Sequence, residues 1–215
     1  MRRDRVRGIY AIVDPTAGKG RDPLGLAATV LAAGVSVLQL RAKTMPAGEM
    51  LALARAMARL CREQGAAFIV NDRADVALAA GADGVHLGQD DLPTAVARGL
   101  APPEFIIGVS THSPEEATAA QRAGADYVAF GAMYPTATKS QVTAPQGPER
   151  LKAVVEAVRL PVIAIGGITL ARLPEIKAAG AAGAAVISAI IGAPDPGAAA
   201  AKMLAAWQQA GGANY

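Results

Sequence analysis

The chain has 215 residues, of which 52% are apolar and only 4% aromatic, with a formal net charge of +3. That length suits one barrel or one open α/β sheet, with a core filled by Val, Ile, Leu and Ala. Arg2, Arg3, Arg5 and Arg7 read as a solvated terminus, no basic stripe with interleaved aromatics follows, and no apolar run approaches the roughly 20 residues of a bilayer span, so nucleic acid and membrane are not expected partners.

In chain order, the first strand is predicted over residues 8–14, and its apolar stretch Ile9 to Val13 is too short for a signal peptide and meets Asp14. A helix between Leu24 and Ala33 leads to a strand at 36–43, and a helix at 48–63 leads to one at 67–72. Strands at 84–89 and 105–110 flank a short helix at 94–99. Helix 114–122, strand 127–134, helix 149–158, strand 162–167, helix 170–179 and strand 184–189 complete the series. One phrase recurs: Ala-Gly, then small or acidic residues, then a Val-rich run, at Ala33-Gly34, Ala80-Gly81, Ala123-Gly124 and Ala179-Gly180. Glycine suits the left-handed turn just past a helix, so the phrase marks a helix-to-strand joint. Strands alternating with helices imply a parallel sheet. Eight such units with no second compositional zone favour a single-domain (β/α)8 TIM barrel over residues 1–215, against an open doubly wound sheet. The patternless, Gly/Pro/Thr-containing stretch at 140–148 reads as a lid. Trp207 and Tyr215 fall in a tail that packs or dangles.

Polar residues sit where the apolar runs end, which in a barrel gathers them on the C-terminal rim where active sites lie. Gln39, Arg41 and Lys43 share one face of their strand, opposite Leu38, Leu40 and Ala42. Two cations at a rim call for an anion, and Arg and Lys are phosphate binders. Asp72 and Asp91 end neighbouring strands; singly each reads as a turn cap, together they suit Mg²⁺ beside a substrate phosphate. Asp90 fits the spacing as well as Asp91. Thr136-Ala137-Thr138-Lys139 follows the sixth strand without forming a P-loop. Gly166-Gly167 ends the seventh strand and Ile187-Ser188 lies in the eighth, where barrels often bind phosphate through backbone N–H groups. His86, inside a strand, reads as a satisfied core residue; His112, beyond Ser110, is nearer the rim and its role stays open. Cys61, the only cysteine, reads as a small buried hydrophobe. No zinc cluster and no nucleophile relay can be assembled from the spacing.

Taken together, Gln39-Leu40-Arg41-Ala42-Lys43, Asn71-Asp72, His86-Leu87-Gly88-Gln89-Asp90-Asp91, Gly108-Val109-Ser110-Thr111-His112, Tyr134-Pro135-Thr136-Ala137-Thr138-Lys139, Ile165-Gly166-Gly167-Ile168 and Ile187-Ser188 resemble the thiamine-phosphate synthase (thiamine-phosphate pyrophosphorylase) family. The resemblance runs from Gly8 to about Ala189. It implies a cytoplasmic transferase that joins a hydroxymethylpyrimidine diphosphate to a thiazole phosphate, releasing pyrophosphate. It implies Mg²⁺ on Asp72 and Asp91. It assigns Gln39, Arg41, Lys43, Asn71, Ser110 and Lys139 to the pyrimidine diphosphate, with Arg41, Lys43, Ser110 and Lys139 catalytic. Thr136, Thr138, Gly167, Ile187 and Ser188 are assigned to the thiazole phosphate. The family's chemistry is dissociative: pyrophosphate leaves first and the thiazole nitrogen traps the cation. Departures from the family pattern are Ala42 in place of an acidic residue, Ala132 in place of Pro, and the segment Ser140 to Ala144, which lacks an acidic residue. Thiazole tautomerases share the barrel, and a noncatalytic phosphate-ligand binder on the same fold is the third reading; a homo-oligomer stays open.

Overall fold

In each copy of the recurring phrase the glycine follows the end of a helix and is left-handed, with φ between 67° and 98°. Only glycine takes that conformation without a steric penalty, so each helix stops there and the chain turns into a strand. Two copies add an aspartate that stitches the new strand to the one before it. Asp83 accepts from the Phe68 N–H at 2.8 Å, and Asp126 accepts from the Ile107 N–H at 2.9 Å. Each carboxylate also takes a cation from another element, Arg5 for Asp83 and Arg98 for Asp126.

The computed structural model describes residues 2–136 and 144–210. Ala137, Thr138, Lys139 and the first part of the expected lid lie outside them, as does Tyr215. Strands β1 (Gly8–Val13), β2 (Val37–Leu40), β3 (Ala67–Asn71), β4 (Gly84–Leu87), β5 (Ile106–Thr111), β6 (Tyr127–Phe130), β7 (Val162–Ile165) and β8 (Gly183–Val186) pair in sequence order and close into a parallel barrel. Helices α1 (Pro23–Ala32), α2 (Ala47–Glu63), α3 (Ala74–Ala80), α4 (Thr94–Leu100), α5 (Pro114–Arg122), α6 (Gly147–Ala157), α7 (Leu173–Ala178), α8 (Ser188–Ile191) and α9 (Pro196–Gln209) follow in the same alternation. A (β/α)8 barrel is therefore the fold.

Alternation along each strand sorts side chains into two cores. Ile9, Leu38, Phe68, Val85 and Ile107 face the helices, while Tyr10, Ile12, Ile69, Tyr127 and Ile163 fill the lumen. Val6, fully buried, stops the lower end of the lumen. Arg5 beside it is ion-paired with Asp83 at 2.5 Å, so this part of the basic terminus is anchored rather than merely solvated. Cys61 is buried in α2, where burial pushes its thiol up to about 12, in keeping with an inert hydrophobe.

The predicted strands overrun at the C-terminal ends. Strand β2 stops at Leu40, β6 at Phe130 and β8 at Val186, so Lys43, Tyr134 and Ile187 lie on loops. Ser188 opens α8 instead of sitting in the eighth strand. Apolar residues continue past the last ladder bond because Met133 and Ile168 pack under the rim loops, and composition alone does not register where pairing ends. The expected helix at 170–179 divides into a 3₁₀ turn, Leu170–Arg172, and α7. Helix α9 was not anticipated, though Asp195-Pro196 carries its start signal: Asp195 caps Ala198 N–H at 2.9 Å with Pro at the first helical position. Trp207 on α9 is packed, and Lys177 sits 5.0 Å from its ring centroid while donating to its carbonyl at 2.6 Å.

The two stitching aspartates differ in burial. The Asp126 side chain is 1% exposed and that of Asp83 is 31% exposed. Breaking a buried pair costs about 3–5 kcal/mol, and an exposed pair contributes at most about 1 kcal/mol. Thermal unfolding should show Asp126→Ala lowering Tm by roughly 6–20 °C, at about 2–4 °C per kcal/mol for a chain of this size. Asp83→Ala should cost no more than about half of that.

Candidate active site on the barrel rim

Asp14 follows β1 and is almost wholly buried. Its Oδ1 accepts from Thr16 N–H at 2.9 Å and Thr16 Oγ1 at 2.6 Å, and its Oδ2 accepts from Arg41. Burial alone would raise this carboxyl; the bonds from Thr16 and Arg41 outweigh it and hold Asp14 below the usual carboxylate range. Arg41, whose N–H extends the ladder to Val13 O at 2.9 Å, is thereby fixed at the mouth of the lumen. Asp14 was not singled out by sequence; its signal is an acidic residue one step past a buried strand.

Lys43 lies beyond β2, and its Nζ is 3.4 Å from Asp72 Oδ2. Asp72 follows β3 in a left-handed conformation, φ 64°, which aspartate tolerates better than most residues. Its N–H donates to His86 O at 2.8 Å, tying the turn to β4. Burial raises the Asp72 carboxyl, and direct contact with the Asp91 carboxylate raises it further, against a lowering by Lys43. Asp91 is positioned by Gly88 N–H, 2.6 Å from its Oδ2. Asp91 is thus the carboxylate facing Asp72, while Asp90 is exposed.

Two adjoining carboxylates repel unless a proton or cation sits with them. Among the described residues no cluster of three or more His, Cys, Asp or Glu could hold a metal. A pair is nevertheless the donor set that suits Mg²⁺, which keeps water and substrate phosphate in its remaining positions.

Asp72, Asp91, Lys43 and Gln89 border an open cleft of about 880 Å³. Beneath it a small lumen pocket, with a cavity volume of about 40 Å³, is bordered by Gln39, Ile163, Ile187 and Tyr10. Arg41, Asn71, His86 and Ser110 line both, so the two are continuous. Gln39 is buried and donates through Nε2 to Tyr10 Oη at 2.8 Å. Ser110 Oγ is 2.9 Å from His86 Nε2, and its carbonyl accepts from Gln89 Nε2 at 2.5 Å. His86 is buried as expected, but it bonds a rim residue. Its Nδ1 meets Tyr127 Oη at 2.9 Å. His112 is taken up by Glu116, at 3.1 Å from its Nδ1, beside the Ser113 cap of α5.

The loops after β6 and β7 run together. Tyr134 N–H donates to Gly166 O at 3.1 Å. Because the peptide is planar and trans, this turns Gly167 N–H to the opposite side. Gly167 itself is left-handed, and a Cβ there would stand 2.7 Å from Pro135 O. Arg172 donates to Gly167 O at 2.5 Å and lies over the Tyr134 ring, 4.0 Å from its centroid. Tyr134 Oη donates to Glu175 Oε1 at 2.5 Å. Thr136, half-buried, is the last described residue between β6 and residue 144, and Ser188 starts α8 across the rim. Thr138 and Lys139 lie outside the described residues.

The Asp72–Asp91 repulsion has a measurable sign. A carboxyl raised in the folded state makes that state bind more protons, so stability falls as pH climbs from the unfolded pKa through the folded one. The penalty is complete only above the raised folded pKa. Asp72→Asn should therefore raise the Tm of the metal-free protein at and above neutral pH. Loss of the Lys43 pair offsets little, because that lysine is more than half exposed. The gain should vanish below the unfolded carboxylate range.

A family model described as Thiamine monophosphate synthase matches residues 9–190. The chain is 48% identical over 195 residues to a thiamine-phosphate synthase of Methanospirillum hungatei, covering 91% of this chain and 95% of that protein. It is 46% identical over 195 residues to a thiamine-phosphate synthase of Moorella thermoacetica, covering 91% and 93%. Among solved structures, a thiamine phosphate pyrophosphorylase from Pyrococcus furiosus superposes with a TM-score of 0.88 at 38% identity, over 97% of this chain and 98% of that one. The barrel with its rim of paired acidic and basic side chains belongs, with the chain that builds it, to the thiamine monophosphate synthase family of thiamine-biosynthesis transferases.

Proposed function

We propose that this protein condenses 4-amino-2-methyl-5-(diphosphooxymethyl)pyrimidine with a thiazole phosphate, giving thiamine phosphate and pyrophosphate, in a Mg²⁺-dependent reaction. The carrying observation is the Asp72–Asp91 carboxylate pair set beside Lys43 and Arg41 on one rim. Arg41 binds the diphosphate through its planar fork and Lys43 adds a point charge. Gln39 and Asn71, at the lumen mouth, orient the pyrimidine, and Ser110 contacts it from β5. Lys139 meets the diphosphate from the sixth loop. Thr136, Gly167, Ile187 and Ser188 hold the thiazole phosphate on the far side, and the family resemblance adds Thr138 to them. Mg²⁺ held by Asp72 and Asp91 would neutralise charge growing on the leaving diphosphate.

Nothing at the rim needs to act as a general base. The thiazole nitrogen carries its own lone pair, so the residues' task is to align two rings and stabilise departing charge. Phosphorylated substrates of this kind accord with a cytoplasmic location, and no helix among the described residues is long and apolar enough to cross a membrane.

Pyrophosphate release with both substrates and Mg²⁺ tests the reading. A tautomerase or a passive phosphate binder releases none, and chelation should stop the reaction. Asp91→Ala should abolish Mg²⁺-dependent turnover; retention of full activity would transfer the metal role to Asp90.

Interactions that strengthen as the bond breaks change kcat, whereas uniform binding changes only KM. Lys139→Ala should therefore lower kcat by about 10²-fold, the usual effect of losing one preorganised donor. An unchanged single-turnover rate with a weaker KM would make Lys139 a simple binding residue.

A further inference from the structure

Gln39 and Ser110 stand on β2 and β5, yet a continuous line of buried hydrogen bonds joins them under the site. It runs from Gln39 Nε2 to Tyr10 Oη at 2.8 Å, then to Tyr127 Oη at 2.9 Å, to His86 Nδ1 at 2.9 Å, and from His86 Nε2 to Ser110 Oγ at 2.9 Å. The barrel makes room for it. Gly108 pairs with Tyr127 across β5 and β6, and a Cβ at Gly108 would lie 2.0 Å from the Tyr127 ring. The His86 and Tyr127 rings stack with centroids 5.5 Å apart.

With Gln39 Nε2 as the donor and a neutral imidazole at His86, donor counting gives every bond in the line one direction. A primary amide nitrogen only donates, so Tyr10 Oη accepts from Gln39 and must give its own proton to Tyr127. Burial raises both phenols, which keeps each hydroxyl protonated. Tyr127 in turn gives its proton to His86 Nδ1, which must then be the bare nitrogen of the ring. The ring proton is on Nε2 and points to Ser110 Oγ, leaving the serine proton free for the cleft. Reversing Gln39 would reverse all the bonds together.

We propose that Tyr10, Tyr127 and His86 are positioning residues that couple the polarity of the two ends, so that the site offers an amide acceptor at Gln39 together with a hydroxyl donor at Ser110. The ligand chemistry this selects is a heteroaromatic ring with an exocyclic amine toward β2 and an acceptor toward β5. That identification rests on the pyrimidine assignment above; the coupling itself does not.

The chain has only two histidines, so nitrogen-15 NMR of the histidine-labelled full-length protein can read the tautomer of His86 directly. The wild type should show a neutral ring protonated on Nε2. Gln39→Glu, at mildly alkaline pH, replaces the donor by an acceptor and should move the ring proton to Nδ1, although His86 does not touch residue 39. Adding Tyr127→Phe should abolish that response. A wild-type ring protonated on Nδ1 or on both nitrogens, or a tautomer indifferent to Gln39→Glu, overturns the proposal.

In steady-state assays Tyr127→Phe should raise KM for the pyrimidine diphosphate about tenfold, as expected for one lost orienting bond, with the thiazole phosphate KM unchanged. Equal losses for both substrates would overturn the recognition role. Tyr10→Phe interrupts the same line and serves if Tyr127→Phe does not fold. If the wild type has the Nε2–H tautomer but releases no pyrophosphate, the coupling stands and the assigned function falls.

Discussion

Eight parallel strands close only where the last reaches the first, and here the seam is made by two glycines. Gly8 pairs with Gly183, and Gly8 N–H donates to Ala182 O at 2.9 Å. A Cβ on Gly183 would lie 2.5 Å from Gly8 O, so the strands meet at a distance no side chain permits. Everything above this seam inherits its geometry. Closure sets which residue of each strand faces the lumen, and hence brings Tyr10, Gln39, His86 and Ser110 together inside it. An open sheet with the same strands would leave Gln39 and Ser110 on separated strands.

The rim combines opposite charges in a way that limits what can bind. Asp14 neutralises much of the Arg41 charge while fixing its direction, and Lys43 leans on Asp72. The cations are therefore oriented rather than free, and the anion that joins them must compete with carboxylates already in place. A diphosphate accompanied by a divalent cation satisfies both sets of charges at once; a bare phosphate does not.

The order of strands, the barrel and the rim were legible because the signals are local. Glycine after a helix, an apolar run and a polar residue at its end each act within a few positions. Lys43 is read as a strand residue in sequence and as a loop residue in space, because apolar content does not record where ladder bonds stop. The Asp72–Asp91 pair was legible as two strand ends; spacing alone left Asp90 open, the family resemblance chose Asp91, and the turn closed by Gly88 N–H is what sets Asp91 against Asp72. Tyr10 and Tyr127 escaped notice. Each is a single tyrosine in an apolar strand, and their partnership depends on residues 117 positions apart meeting inside the lumen. His86 reads as core, and it is core; the structure adds the two residues it joins. Helix α9 was missed because an Ala-rich stretch carries little periodicity, despite the Asp-Pro start.

The brace among Tyr134, Gly167, Arg172 and Glu175 has a thermodynamic consequence for the order in which ligands settle. A guanidinium stacked on one loop and bonded to the carbonyl of the next removes rotational freedom from both before any ligand arrives. The entropy of ordering that side is thus lost during folding, once, and not at each turnover. Binding there resembles a key entering a cut lock, with affinity that follows contact quality closely. The carboxylate side behaves differently: Asp72 and Asp91 repel and Lys43 relieves this only in part, so free energy is stored there that a bound cation would release. One half of the rim is preformed and the other is spring-loaded, within a single continuous cleft.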